Sequence, residues 1–278
     1  MSTYVISDIH GCYTEFMEML EKIKFDQKKD ELIIAGDIID RGPENLQMLR
    51  YMESKPESVM FLMGNHDYDF IGYCRGVEIM CDKGDGEWCK PSEAYLHRKN
   101  YKPSEAYHNK KYYDYFSDDY GTVRKLISDH SELVLEDFRR WKTIIGEFPY
   151  YLKRTIGGKN YIIVHAGYIE AADFNRDLRF LYCNGINEFF IWARDEGIQY
   201  GGAKDSTIIF GHTPTIFTEE LFYNGGKVWY HENPKINCRF FNIDCGLVYG
   251  KYDGVHNTNL ACIRLDDEKV FYLYEREV

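Results

Sequence analysis

The sequence predicts an α/β protein in which two packed mixed β-sheets are flanked by helices, and three observations lead there. Residues 3–7 (TYVIS), 31–36 (ELIIAG) and 58–63 (SVMFLM) are short apolar runs ending at polar or glycine-containing loops, as strands do. Amphipathic stretches separate them, so the first 65 residues read strand, helix, strand, helix, strand. The second half is strand-rich, which two packed sheets accommodate better than one open sheet.

The first helix follows from Phe16, Met19, Leu20 and Ile23 at helical spacing, and Pro43 can start a second through Leu46, Leu49 and Met52. This alternation calls for parallel strands with right-handed crossovers, which gather the strand-terminal loops at one edge, where open α/β sheets bind ligands. Residues 131–146 (SELVLEDFRRWKTIIG) predict a packed helix with Ser131 as its cap. PYYLKRTI and YIIVHAG then flank Gly157, Gly158, Lys159 and Asn160 as a hairpin. TIIFGH, KVWYH, RFFNID, NLACIRL and KVFYLYE give five more strands, the last two joined through Asp266, Asp267 and Glu268.

The stretch from about 71 to 130 breaks the rhythm, being polar and Tyr-rich, with KPSEAY at 90–95 and again at 102–107. Two copies are too few for a solenoid. The stretch reads as an insertion beside the site of a single domain spanning 1–278, serving as a surface decoration or as a lid over the substrate.

Composition narrows the classes. At 44% hydrophobic and 16% aromatic residues, the 278-residue chain can bury a large core. Its 45 acidic against 34 basic side chains give a net charge of -11, which repels polyanions at long range, so any phosphate must be held by local cations. No nucleic-acid partner is expected. Neither is a membrane, because charges interrupt every apolar stretch well before the ~20 residues a span needs. No basic, apolar leader precedes the first strand, and the eight cysteines contain no Cys-x-x-Cys pair, so reduced thiols and a cytoplasmic location are expected. Cys74, Cys81, Cys89 and His97 match no common zinc-finger spacing, and idle thiols are the better reading.

Chemistry concentrates at the strand ends. Asp8 and His10 follow the first strand; GDIIDRG supplies Asp37, Asp40 and Arg41 after the second; GNHD supplies Asn65, His66 and Asp67 after the third. Twenty-six residues lie between His10 and Asp37 and twenty-seven between Asp37 and Asn65, enough each time for a helix and the next strand. His165 and His212 also follow apolar runs; taken singly each is more often a hydrogen-bonded sheet-edge histidine, and together they complete the set. Carboxylate, carboxamide and imidazole donors together suit manganese, iron or zinc in a catalytic rather than a structural site.

In this order SDIHG, GDIIDRG, GNHD, HAG and GH resemble the motifs of the PPP family of metallophosphatases, the calcineurin-like metallophosphoesterases, over residues 7–212. The resemblance implies that family's β-sandwich and two divalent metal ions. Asp8 and His10 would hold one, Asn65, His165 and His212 the other, and Asp37 would bridge them. It further implies a metal-bridging hydroxide as nucleophile, His66 as general acid held by Asp40, and Arg41 with Arg194 as phosphate forks. Arg194 in IWAR equally suits a surface cation, and Asp244 in NIDCG is either a supporting carboxylate or a turn-initiating Asp.

GNHD in place of GNHE and HAG in place of HGG fit the bacterial or phage branch. The expected activity is hydrolysis of phosphate monoesters, phosphoserine and phosphothreonine in proteins first; the alternative is symmetrical cleavage of diadenosine tetraphosphate. Either a phosphorylated protein or a small phosphate ester is then the partner. A nuclease lacks its basic stripe here, and a non-catalytic binding module has no reason to retain His66, Asp40 and Arg41.

Overall fold

The computed structural model describes residues 1–82, 89–98, 121–174 and 185–274. Its strands are β1 (Thr3–Ile6), β2 (Glu31–Ile34), β3 (Val59–Phe61), β4 (Tyr151–Ile156), β5 (Lys159–Val164), β6 (Ser206–Phe210), β7 (Trp229–Asn233), β8 (Cys238–Asn242), β9 (Ala261–Arg264) and β10 (Lys269–Tyr272). They form two five-stranded sheets ordered β10-β9-β1-β2-β3 and β4-β5-β6-β8-β7. In the first, β1, β2 and β3 are parallel with Tyr4 opposite Leu32, β9 pairs antiparallel with β1, and β10 pairs antiparallel with β9. In the second, β5, β6 and β8 are parallel, and β4 and β7 are antiparallel edges. This is the mixed two-sheet α/β architecture that the sequence predicts.

Alternation along the parallel strands explains the packing. Val5, Ile33, Ala35 and Leu62 of the first sheet meet Tyr161, Ile163, Ile209 and Ile243 of the second in a core between the sheets. Their neighbours Tyr4, Ile6, Leu32 and Ile34 face the other way, toward Phe16, Met19, Met48 and Leu49 of helices α1 (Tyr13–Lys22) and α2 (Asn45–Ser54). Both faces are covered, so these strands are apolar throughout.

The sheets are also joined at their margin. Glu268, in the β9–β10 turn, accepts from Arg239 Nη1 at 2.8 Å and Nη2 at 2.7 Å, and from Lys159 and Tyr161 at 2.9 Å, all three on the opposite sheet. Arg239 first, with Lys159 and Tyr161 and against burial, draws the Glu268 carboxyl from 4.5 down to about 2. A depressed carboxyl stabilises the fold above its unfolded value, and that contribution disappears as pH falls through the folded value. The gap in denaturant midpoint between wild type and Glu268→Gln should therefore be widest above 4.5 and close as pH falls toward about 2. A constant gap would remove Glu268 as an ionised clamp.

Several boundaries differ from the sequence expectation. Gly157 and Gly158, at φ 57° and 79°, make a two-residue turn by themselves, so Lys159 and Asn160 pair within β5 instead of belonging to the loop. Helix α2 begins at Asn45 rather than at Pro43, because the Asn45 carboxamide accepts from Asp40 N and donates to Gly42 O, both at 2.8 Å, holding the preceding loop open. The helix expected from Ser131 starts at Leu135, where Asp137 reaches back to Val134 N at 2.9 Å and supplies the cap.

Helix α3 (Asn65–Cys81) runs straight through residue 71, where the insertion was expected to begin, and buries Phe70, Cys74 and Val77 against the Leu135–Gly146 helix. Helix α4 (Pro91–Arg98) contains most of the first KPSEAY copy, and α5 (Thr122–Asp129) precedes the Leu135–Gly146 helix, α6. The second KPSEAY copy lies outside the described residues, as does the bulk of the expected insertion. Helices α7 (Ile186–Trp192) and α8 (Glu196–Gln199), with a 3-10 turn at Leu247–Lys251, complete the structure. No helix among the described residues is long and apolar enough to cross a membrane.

Candidate metal centre

The carboxyl ends of the six parallel strands point to one edge, and each loop leaving them carries polar residues. Asp8 and His10 follow β1, Asp37 to Arg41 follow β2, Asn65 to Asp67 follow β3, His165 follows β5, His212 follows β6 and Asp244 follows β8. Asp8, His10, Asp37, Asp40, Asn65, His66, His165 and His212 are all buried, which polar side chains tolerate only when partnered.

The loops hold an uncommon backbone. Of the eleven described non-glycine residues with positive φ, six are Asp8 (53°), His10 (48°), Asp37 (53°), Asp40 (76°), Arg41 (66°) and His212 (71°). Such conformations cost on the order of 1–3 kcal/mol each and persist where the surroundings fix them. Here the first two loops brace each other, His10 N and Gly11 N donating to Asp37 O and Ile38 O at 2.9 Å, and Gly42 N to His10 O at 3.0 Å. Gly64 and Gly211 allow the close approach: a β-carbon on the first would strike Asp37, and on the second Asp8 and Ser7.

Two groups of donor atoms meet at Asp37, His10–Asp37–His66 on one side and Asp37–His165–His212 on the other, with ligand atoms within 4.8 Å of one another in each. His10 Nδ1 donates to Ile39 O at 2.9 Å, leaving Nε2 as acceptor 3.5 Å from Asp37 Oδ2, while Arg41 Nη1 donates to that Nε2 at 2.7 Å. His165 Nδ1 is tied to Ala35 O at 2.9 Å; its Nε2 lies 3.0 Å from Asn65 Oδ1 and 3.4 Å from Asp37 Oδ2. His212 Nδ1 is 2.9 Å from the same Asn65 oxygen. A ring anchored through one nitrogen to a backbone carbonyl presents the other as a metal ligand does.

Asp8 stands outside both groups. Its carboxylate accepts the Ser7 hydroxyl and, at 3.1 and 3.2 Å, the His212 backbone N–H, so it fixes the His212 loop. His66 donates its backbone N–H to Asp37 Oδ1 at 2.9 Å, and its Nδ1 meets Asp40 Oδ2 at 2.8 Å.

Charge follows geometry. Burial, then Arg41, holds His10 well below the usual imidazole value; burial, then His165 and Arg194, does the same for His212. Burial opposes charge on His165 as well, but Asp37 and Asp8 raise it to about 10. Asp37, against burial, is held well below the carboxylate range by His165 and His66. Cationic groups, the Arg41 guanidinium and the His165 imidazolium, thus satisfy the acceptors on either side of Asp37. Divalent cations would satisfy the same acceptors, displacing Arg41 from His10 Nε2 and the proton from His165, and the resulting donor set of carboxylate, carboxamide and neutral imidazole fits them.

Arg194 is exposed, with Nη1 3.1 Å from Thr213 Oγ1, next to His212. Asp244 is buried and accepts Gly246 N at 2.9 Å, the hydrogen bond of a turn-forming Asp; burial first, then Asp8, raises its carboxyl well above the ordinary range. The seven described cysteines are free, and neither metal-capable group among the described residues contains one; the His97 side chain lies outside the described residues.

Two residues given no role from the sequence organise the site. Asn45 clips the Asp40 loop through its carboxamide. Asp67 accepts Asp37 N at 2.8 Å, Gly64 N at 3.0 Å and Ile38 N at 3.1 Å, locking the second loop to the third. An Asx residue just past Gly-Pro and an acidic residue at the third position of a helix are signals that could have found them.

A two-sheet fold whose parallel strands deliver buried aspartates, histidines and an asparagine to one edge defines a metal-dependent hydrolase class. The family described as calcineurin-like phosphoesterases matches residues 1–250, and the chain belongs to that family. A symmetrical bis(5'-nucleosyl)-tetraphosphatase of Buchnera aphidicola subsp. Acyrthosiphon pisum is 50% identical over 78 residues, and one of Klebsiella pneumoniae 43% over 77. These matches span 28% of this chain and 28% and 27% of the relatives' lengths. Among solved structures, a candidate diadenosine tetraphosphatase superposes with TM-score 0.52 at 14% identity, covering 98% of this chain and 92% of the other. A metallophosphoesterase from Sphaerobacter thermophilus gives 0.51 at 13%, covering 98% and 86%. At these identities the structures share the fold.

Proposed function

We propose that this protein is a dinuclear-metal phosphoesterase that splits bis(5'-nucleosyl) tetraphosphates symmetrically into two nucleoside diphosphates. The observation carrying this reading is the 50% identity over 78 residues with proteins named for that activity. The buried donor set converging on Asp37 supports it. Phosphoserine and phosphothreonine, expected first from the motifs, become the competing substrates, and residues 1–278 are taken as one catalytic domain.

In this reading Asp8, His10 and Asp37 would hold one divalent cation, and Asn65, His165 and His212, with Asp37, would hold the other. Asp8 would turn from its place beside the His212 backbone to do so. When bound, such a pair acidifies water and neutralises charge on the phosphate. Arg41 and Arg194 present planar forks that orient phosphate oxygens and offset the chain's negative charge. His66 delivers a proton from Nε2 to the departing oxygen, while Asp40 at Nδ1 fixes the ring and, with Asp37 and against burial, raises its basicity.

The test is product analysis on manganese-loaded protein. Diadenosine tetraphosphate should give ADP as the only nucleotide product, chelation should abolish turnover, and manganese should restore it. ATP with AMP would exclude symmetrical cleavage. Orthophosphate from phosphoserine peptides without ADP from the dinucleotide would transfer the protein to the phosphoprotein phosphatases.

A further inference from the structure

We infer that Trp192 and Tyr249 are the faces on which the two nucleobases of a dinucleoside polyphosphate stack, one on each flank of the metal centre; this rests on the symmetrical-cleavage reading. Trp192 ends helix α7 and is 42% exposed, although tryptophan is highly buried on average. Its ring meets the His212 ring edge-on, 6.0 Å between centroids. Two residues on, Arg194 bonds Thr213, the neighbour of His212. Histidine, arginine and indole thus form one strip.

The other donor group carries the same order with unrelated residues. Tyr249, half-buried on the Leu247–Lys251 turn with the Phe217 ring against it at 5.1 Å between centroids, lies 5.5 Å beneath the Arg41 guanidinium, and Arg41 bonds His10 Nε2 at 2.7 Å. His10 and His212 belong to different donor groups, which share only Asp37. From Tyr249 to Trp192 the centre therefore reads aromatic, cation, metal-ligand cluster, cation, aromatic. A dinucleoside polyphosphate reads base, phosphates, scissile bond, phosphates, base. A flat ring accepts any base because every base has a π-face, and arginine adds cation–π attraction. A simple phosphomonoester has nothing to place on either ring.

The measurement is calorimetric titration of manganese-loaded protein with ADP and, separately, with inorganic pyrophosphate. Trp192→Ala should weaken ADP binding roughly 5- to 150-fold and pyrophosphate binding far less, and Trp192→Phe should recover most of the loss. Tyr249→Ala should raise KM for diadenosine tetraphosphate more than KM for inorganic tetraphosphate. Equal weakening for ADP and pyrophosphate would show that Trp192 merely orients His212 and would overturn the inference, as would unaltered ADP binding. ADP binding that depends on Trp192, in a protein that makes no ADP from the dinucleotide, would uphold the base subsite and remove symmetrical cleavage instead.

Discussion

His66→Asn should slow hydrolysis of alkyl phosphate esters by about 100-fold or more, the range that removal of a general acid produces. The loss should be smaller with diadenosine tetraphosphate, because its departing ADP is already a stable anion and asks less of the acid. Metal content separates the two uses the geometry allows His66. Its ring sits with His10 and Asp37 in one donor group, and it also bonds Asp40 at 2.8 Å. An acid leaves bound manganese unchanged and gives a loss that grows with leaving-group basicity; a ligand loses manganese and gives the same loss for every substrate. Unaltered turnover on all substrates would take His66 out of the reaction.

Asp67→Ala should carry the largest cost in stability. Three backbone N–H groups, of Asp37, Ile38 and Gly64, donate to this one buried carboxylate. Each left unsatisfied costs about 1–3 kcal/mol, so the loss should be at least ~3 kcal/mol against a typical total of about 5–15 kcal/mol. Asp67→Glu keeps both oxygens on one more methylene and should lose only about 1–3 kcal/mol through overpacking. Denaturant midpoints at fixed metal concentration measure both. Near-equal stability of Asp67→Ala and wild type would show that the loops are held by their own ladder alone. Since the Asp37 backbone rests on this carboxylate, the alanine variant should also bind manganese more weakly.

Much of this site is legible in the chain's local patterns. Apolar runs closed by SDIH, GDIID and GNHD specify three parallel strands and place Asp8, Asp37 and Asn65 after them, because strand periodicity and helical spacing are local properties of a few successive residues. The same locality explains the boundary shifts. Asn45 and Asp137 begin their helices through hydrogen bonds that outrank Pro43 and Ser131 as start signals. The polar, Tyr-rich character of the longer stretch 71–130 concealed a helix that runs to Cys81, because its buried face, Phe70, Cys74 and Val77, has meaning only against α6.

The sequence alone determined the chemistry available: the donor types, their order along the chain and their attachment to strand ends. Tertiary structure decided which atoms face one another. It turned Asp8 toward the His212 backbone, 204 residues away, set Arg41 between His10 and Tyr249, and brought Trp192 against His212. These relations depend on the register of two sheets across a shared core and on left-handed loop backbones held by long-range hydrogen bonds. Neither is a property of residues adjacent in the chain, so neither leaves a periodic trace in it.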